Sequence, residues 1–389
     1  MRHHHLLFAA IGLCAIQGTL LTDSPAGQSP FAQVVLREFD KWDKKHEGRL
    51  TFDVVERWTR NPSLRGEEAA AMAMLHRVLR KETAAAAAHR ESHIPDFTRT
   101  YFEHYNQMTA KERQSHYAFD VYFLAAKVKI AKESRELFPE GMPKLSTIHQ
   151  GNIGDCHFLG PLGSMVFTRP GQVKEMIGGD QEHGYSVRFP SRPSVKITPL
   201  TDTELGLLSS AGSNGIWLAV LEKARGEVHR EGSHMNTRDD VDALAASPEK
   251  TRIDIELLTG HRPERLVIPN PSKAPRKFAQ AKRKLRDLLA RMDRDKHLCA
   301  AASRDPNYVP APAGMAGDHS YAVLGYDRSN DVVHVWNPWG NSFTPRGGEG
   351  IKAGYETLHG AFKMPLKDFA REFSVVCHES SEPVRQLPR

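Results

Sequence analysis

Cysteine is scarce in this chain. The 389 residues contain four cysteines, at positions 14, 156, 299 and 377, without regular spacing. This number excludes a disulfide-dense scaffold and a paired-cysteine zinc site. If Cys14 is removed by processing, Cys299 and Cys377 could form one bridge and leave Cys156 as a thiol, or both could be buried thiols. The sequence leaves these options open.

Long apolar runs are also missing. The best candidate, residues 6–16, is too short to span a bilayer, so we expect no stable membrane span. It follows a basic start and precedes the small residues Ser24 and Ala26, a pattern typical of a secretory signal peptide. We therefore predict a signal peptide over residues 1–26 and a secreted or periplasmic protein. The alternatives are a lipoprotein cysteine at Cys14, a partly buried helix or a tag remnant.

No charge of one sign dominates. The chain has 53 basic and 47 acidic side chains and a formal net charge of +6. The densest basic stretch, residues 272–296, has apolar residues at helical spacing, which predicts an amphipathic helix with a charged outer face. We expect no nucleic-acid partner, because no groove-reading module accompanies this helix. The length fits two or three folded units.

Residues 30–135 have the pattern of a helical region. Within it, residues 43–54 resemble the loop of an EF-hand, with Asp43 at the first position and a turn glycine at Gly48. Lys45 stands at the third ligand position and Val54 at the twelfth, where calcium needs oxygen ligands. We therefore predict a degenerate EF-hand-like region that keeps its helix-loop-helix shape without binding calcium.

Beyond residue 140 the sequence predicts mixed helices and strands. The segment 138–145 contains two prolines and a glycine, which mark a boundary. Two β-hairpins are expected, one over residues 183–200 and one over residues 319–337 around the turn segment DRSND. The overall fold class predicted is α+β.

Cys156 is the first candidate for a catalytic role. It lies in QGNIGDCHFLGPLGSMV, residues 150–166, where two glycines form a tight turn before an apolar helical pattern. Asp155 is a natural N-cap, so Cys156 should lie in the first helical turn. Unpaired amides and the helix dipole favour an anion there, so we expect the thiol to lose its proton more easily than in free solution.

A nucleophilic cysteine needs a base, and the base needs a partner that holds its orientation. His319 begins one strand of the second predicted hairpin, and Asn337 ends the other. Strand ends far from a hairpin turn are neighbours in an antiparallel pair, so these side chains should meet.

Several motifs together resemble the calpain family. QGNIGDCHFL resembles its active-site cysteine segment, and DHSYAVLGYD with VWNPWG resembles its histidine and asparagine segments. GIWLAVLEKA (215–224), LLTG (257–260) and GAFKMPLKDF (360–369) are similar to further family signatures. The resemblance runs in order from about residue 145 to residue 373.

The resemblance implies a papain-like core over residues 140–376, with a helical lobe carrying the cysteine and a β-rich lobe carrying the histidine and asparagine, followed by a tail over 377–389. It also implies a cysteine endopeptidase that hydrolyses polypeptides through an acyl-enzyme. The family's core binds calcium through loop carboxylates that have no match in this sequence, so we expect little or no calcium dependence and no metal or other cofactor. The implied roles are Cys156 as nucleophile, His319 as base, Asn337 as orienting residue, Gln150 in the oxyanion hole, Trp339 as a cover for the histidine–asparagine bond and Asp155 in support.

Some positions depart from the family pattern. His157 replaces the tryptophan that usually follows the cysteine, and Pro161 stands where alanine is common, so the catalytic helix is expected to kink or start late. A glycine pair expected before LLTG is absent from residues 234–254. These departures keep two alternatives open, a catalytically inactive scaffold and a calcium-sensing binding protein.

Overall fold

The structure is a computed structural model that describes residues 27–87, 96–232, 248–305, 315–341, 350 and 354–384. The predicted signal peptide and much of the segment before LLTG lie outside these residues. Among the helices of the described part, none is long and apolar enough to cross a membrane.

The N-terminal part of the described chain is helical. Its helices are α1 (Pro30–Trp42), α2 (Phe52–Thr59), α3 (Gly66–Ala87), α4 (Arg99–Gln107), α5 (Ala110–Ser115) and α6 (Phe119–Lys132). Ser29 caps α1 by accepting a hydrogen bond from the Ala32 amide. Phe31 stacks on Phe119 with ring centroids 4.5 Å apart, which fixes α1 against α6. Such aromatic contacts make this region a packed bundle.

A short loop connects α1 to α2. Asp43 is buried, and its carboxylate accepts hydrogen bonds from the amides of Glu47 and Gly48 at 2.9 and 2.7 Å. The Leu50 amide donates to the Phe97 carbonyl at 2.9 Å and so ties this loop to the segment before α4. The loop is therefore held by its own backbone and by a neighbouring segment.

A mixed region follows. Its elements are α7 (Cys156–Thr168), α8 (Pro170–Glu175), β1 (Ile177–Asp180), β2 (Gly184–Val187), β3 (Val195–Ile197), α9 (Asp202–Leu207), α10 (Trp217–Gly232) and α11 (Pro248–Thr259). β1, β2 and β3 form a small antiparallel sheet, and the β2–β3 pair confirms the first predicted hairpin. α7 begins at Cys156, so Pro161 does not delay its start.

The last part of the chain is built on a larger sheet. Its elements are β4 (His261–Val267), α12 (Pro275–Asp295), β5 (Cys299–Ser303), β6 (Ser320–Asp327), β7 (Val332–Trp336), β8 (Thr357–Leu358), β9 (Ala361–Pro365), α13 (Leu366–Glu372) and β10 (Phe373–Pro383). Seven strands of the described residues pair antiparallel in the order β4-β10-β5-β6-β7-β9-β8. The β6–β7 pair confirms the second predicted hairpin, and α12 confirms the amphipathic helix, burying Leu285, Leu288, Leu289 and Met292.

Two apolar cores hold these parts together. One runs without a break from Phe31 and Met72 in the N-terminal helices to Leu162 in α7 and Trp217 in α10. The other packs α12 and α13 against the large sheet. The N-terminal helices therefore share a core with the helix that carries Cys156.

The end of the chain differs from the expectation. Residues 377–383, predicted as part of a tail, continue β10 along β4, and the first two of them also pair with β5. The buried carboxylate in this segment has hydrogen-bond partners. Glu379 is fully buried and accepts hydrogen bonds from Arg169 and His261. Cys299 and Cys377 lie on adjacent strands and are both buried without a disulfide between them.

Candidate active site

Cys156 lies at the N-terminus of α7. It is 6 % exposed, in the first turn of the helix as predicted. Asp155 occupies the N-cap position, and its backbone carbonyl accepts from the Phe158 and Leu159 amides. Its side chain is buried and makes no capping hydrogen bond, which differs from the expectation.

Two glycines let α7 approach the large sheet closely. A Cβ on Gly160 would lie 2.7 Å from Ser320 Oγ, and one on Gly163 would lie 2.7 Å from the Trp336 ring. Separations below 3 Å are repulsive, so larger residues here would push the helix away. The close packing brings the start of α7 next to the start of β6.

His319 and Asn337 meet at the open ends of the β6–β7 hairpin. His319 Nε2 lies 3.0 Å from Asn337 Oδ1, and both side chains are buried. The His319 amide donates to Ser303 Oγ on β5 at 3.0 Å. The hairpin therefore brings together two residues that the sequence separates.

Trp339 contacts the histidine ring. The ring centroids of Trp339 and His319 are 4.2 Å apart, at an interplanar angle of 37°. The Trp339 amide also donates to Asn337 Oδ1 at 3.0 Å. Asn337 Oδ1 thus accepts from the Trp339 backbone and faces the imidazole, which limits the rotation of the amide.

Gln150 lies on the loop before α7. Its backbone amide donates to the Pro338 carbonyl at 3.1 Å, which ties the cysteine loop to the asparagine segment. Its Oε1 is buried and has no hydrogen-bond partner among the described residues. The side-chain oxygen of Gln150 is therefore not engaged by other groups in the described part of the chain.

The site is buried, and burial shifts the pKa values of both Cys156 and His319. Burial raises the pKa of the Cys156 thiol to about 12, against the opposing effect of the Ser320 amide and with a further increase from Asp155 and Asp318. Burial lowers the pKa of His319 to about 4, partly offset by its hydrogen bond to Asn337. The expectation that the helix terminus lowers the thiol pKa is wrong for this site, because desolvation outweighs the helix amides. Burial therefore disfavours both a lone thiolate and a lone imidazolium at this site.

The start of β6 is the part of the hairpin that contacts Cys156. The Ser320 amide, next in the chain after His319, acts on the sulfur. Among the described residues, no hydrogen bond joins the sulfur to the imidazole.

Asp155 and His157, on either side of Cys156, have buried partners that the sequence did not reveal. His157 Nδ1 lies 2.8 Å from Asp254 Oδ2, and Arg225 Nε donates to Asp254 Oδ1 at 2.8 Å, with all three side chains buried. Glu222, inside the LEKA-type segment, is fully buried beside Asp155. The signal available was a charged residue on the apolar face of a helix, but its partner could not be identified without the fold.

Within the described ranges, no group of three or more histidine, cysteine, aspartate or glutamate side chains is arranged to hold a metal ion.

A family model described as calpain family cysteine protease matches residues 100–347. No curated protein matches the chain. The matched interval contains Cys156, His319 and Asn337.

Proposed function

The chain belongs to the calpain family of cysteine proteases, and from that premise we propose that it is an endopeptidase that uses Cys156 as nucleophile, His319 as base and Asn337 as orienting residue. The observation that carries the proposal is the 3.0 Å contact between His319 Nε2 and Asn337 Oδ1 at the start of β6, beside the Cys156 helix. That contact leaves Nδ1 of the imidazole available to the thiol.

Proton transfer belongs to the attack step in this proposal. A thiolate alone or an imidazolium alone is unfavourable in the buried site, because burial raises the pKa of Cys156 and lowers the pKa of His319. A thiolate and an imidazolium formed together stabilise each other, so the sulfur gives its proton to Nδ1 as it bonds to the scissile carbonyl carbon. The carbonyl oxygen then carries the negative charge.

The oxyanion is stabilised by Gln150 and the backbone amide of Cys156. The Cys156 amide is at a helix N-terminus, where it has no intrahelical acceptor. The Gln150 loop is tied to the Pro338 carbonyl, which supports a fixed position for its side chain. Preorganised donors of this kind contribute strongly in a site shielded from water.

Two steps complete the reaction. The carbon–nitrogen bond breaks, the leaving amine takes the proton from His319, and the acyl group stays on sulfur as a thioester. Water then attacks the thioester while His319 accepts its proton, and the carboxylic acid leaves as the thiol is regenerated.

We also propose that calcium has little influence and that the protein is exported. The Asp43 carboxylate is engaged by the Glu47 and Gly48 amides, which supports a loop that keeps its shape without an ion. Lys45 would place an ammonium where a ligand oxygen is required.

The test is active-site labelling with an epoxide-type thiol inhibitor, located by peptide mapping. We expect the wild type to be labelled at Cys156 and to cleave a denatured protein substrate, at equal rates with millimolar calcium or with a chelator. Cys156→Ala should lose both properties. Cys299→Ala, which removes another buried thiol, is the matched control and should retain both.

Two results would contradict the proposal. Labelling of Cys156 without any cleavage over a broad substrate panel would indicate an inactive scaffold. Cleavage that appears only with calcium would overturn the calcium statement and leave the catalytic residues intact.

A further inference from the structure

Two buried carboxyl groups face each other behind the active-site cysteine. Asp155 and Glu222 are both fully buried, and their side chains lie within hydrogen-bonding reach of each other. No donor group among the described residues reaches either Asp155 oxygen or Glu222 Oε1. If both groups were ionised, three buried acceptor oxygens would have no hydrogen at all, which is very unfavourable.

One shared proton supplies a hydrogen to two of these three oxygens. A neutral carboxylic acid has an O–H group that can donate to the other carboxylate. Burial, together with the charge of Asp155, raises the pKa of Glu222 well above its usual range. The proton therefore belongs to Glu222, which donates to Asp155.

The other oxygen of Glu222 holds a second element of the site. Glu222 Oε2 accepts from the Ser209 amide at 2.7 Å. Ser209 Oγ in turn accepts from the Gly151 amide at 3.0 Å, directly after Gln150. The two loops approach so closely that a Cβ on Gly151 would overlap the backbone of Leu207 and Leu208. Glu222 thus touches the residue before the nucleophile and, through Ser209, the loop of the oxyanion residue.

An amine from the N-terminal helices lies near the pair. Lys129, on α6, donates to the Leu208 carbonyl. Burial lowers the pKa of Lys129, and the attraction of Glu133, Glu222 and Asp155 opposes that shift. A protonated Lys129 favours one ionised carboxyl in the facing pair over none.

We propose that Glu222, in its neutral acid form, is a positioning residue that connects the start of the Cys156 helix to the Gln150 loop. It acts through Asp155 on one side and Ser209 on the other and touches neither substrate nor the reacting atoms. The activity readout of this inference rests on the proposed function, whereas its stability readout does not.

A protonated Glu222 makes the folding stability depend on pH. The groups facing Glu222 are Asp155 from α7 and Lys129 from α6, with Glu133 behind Lys129. A carboxyl whose pKa is raised in the folded protein binds a proton that the unfolded chain has lost, so folding stability decreases as pH rises above the ordinary glutamate pKa. The loss is complete once the pH passes the raised value.

Glu222→Gln separates the roles of the proton and the charge. The glutamine amide can donate to Asp155 while its oxygen accepts from the Ser209 amide, so this variant copies the neutral acid permanently. We expect kcat within about threefold of the wild type, whereas Glu222→Ala should lose on the order of a hundredfold in kcat because misplaced catalytic groups react slowly. Thermal unfolding from pH 5 to pH 9 should show a Tm difference, Glu222→Gln minus wild type, that increases with pH. Glu227→Gln, on the same helix and paired with Arg230, is the matched control and should show a constant difference.

The results that overturn the proposal are distinct from those that overturn the proposed function. A Glu222→Gln variant that loses as much kcat as Glu222→Ala, or whose Tm difference does not change with pH, would mean that Glu222 acts as an ionised group. If no variant and no wild type cleaves protein, the Tm series still decides the protonation of Glu222. If Glu222→Ala fails to fold, the Tm series of Glu222→Gln decides alone.

Discussion

His319 Nε2 lies 3.0 Å from Asn337 Oδ1 across 18 residues of sequence. The contact is buried, and the Trp339 ring lies against its histidine side. An amide oxygen at this position selects the tautomer with hydrogen on Nε2, which leaves Nδ1 as the proton acceptor. The orientation of the base is therefore set by one hydrogen bond.

Loss of that hydrogen bond should reduce turnover. We expect Asn337→Ala to lower kcat roughly ten- to a hundredfold, because a buried hydrogen bond worth about 1–3 kcal/mol orients the imidazole in every step. KM should change little, since Asn337 does not contact substrate in the proposed mechanism. Steady-state kinetics with a fluorogenic peptide would measure both constants.

Asn330→Ala is the control for this change. Asn330 lies at the turn end of the same hairpin, where its side chain bonds only to local groups at an exposed position. We expect its kcat to equal that of the wild type. An Asn337→Ala enzyme with unchanged kcat would show that another group orients His319.

Local sequence patterns predicted the hairpin that carries this contact. The segments HSYAVLGY and VVHVW are short, mostly apolar runs on either side of the polar turn segment DRSND, so the hairpin follows from local sequence. The position of Cys156 at the start of a helix also follows locally. These features depend on neighbours in the chain, which a sequence displays directly.

Features that depend on packing could not be predicted. The pKa of the Cys156 thiol is raised because α7 packs on the sheet through glycines, and local sequence shows only the helix start. The last half of β10 is polar, so it resembles a tail, and only the fold shows that Glu379 meets Arg169 and His261 there. In both cases the partner lies far away in sequence.

Gln150 provides a second test of the site. We expect Gln150→Ala to lower kcat by roughly a hundred- to a thousandfold with little change in KM, because an oxyanion donor acts in the transition state. Rapid-quench measurement of the acylation rate would detect the loss. Gln172→Ala, which alters an exposed glutamine on α8, should acylate at the wild-type rate. A Gln150→Ala effect on KM alone would instead assign Gln150 to substrate binding.

The rate of thiol labelling at Cys156 should show the pH dependence of a neutral thiol. Because the pKa of Cys156 is raised to about 12, its thiolate fraction increases with pH throughout the accessible range. We expect the rate of iodoacetamide labelling at Cys156 to increase about tenfold per unit between about pH 7 and pH 9. Mass spectrometry of the Cys156 peptide would measure the rate, and Cys156→Ala defines the background. A rate that is constant over this range would indicate a preformed thiolate–imidazolium pair.

The buried group of His157, Asp254 and Arg225 gives a prediction on stability. Burial alone would raise the pKa of Asp254, but Arg225 and His157 lower it below its ordinary 3.8. Removal of the carboxylate leaves a buried guanidinium without its anion, so Asp254→Ala should lose roughly 3–5 kcal/mol of unfolding free energy. Urea denaturation at neutral pH would measure the loss, and Asp287→Ala, at an exposed position on α12, should be close to neutral.

The same group also fixes a pH dependence for this stability. A carboxyl whose pKa is lowered by folding contributes stability above its unfolded pKa and loses it as pH falls through the folded value. The difference between wild type and Asp254→Ala should therefore be constant above about pH 5 and shrink below about pH 4. A difference that stays the same down to about pH 3 would mean that the side chain stabilises the protein by packing and not by its charge. Because His157 directly follows Cys156, that outcome would also mean that the charge of Asp254 is not what holds the start of α7 in place.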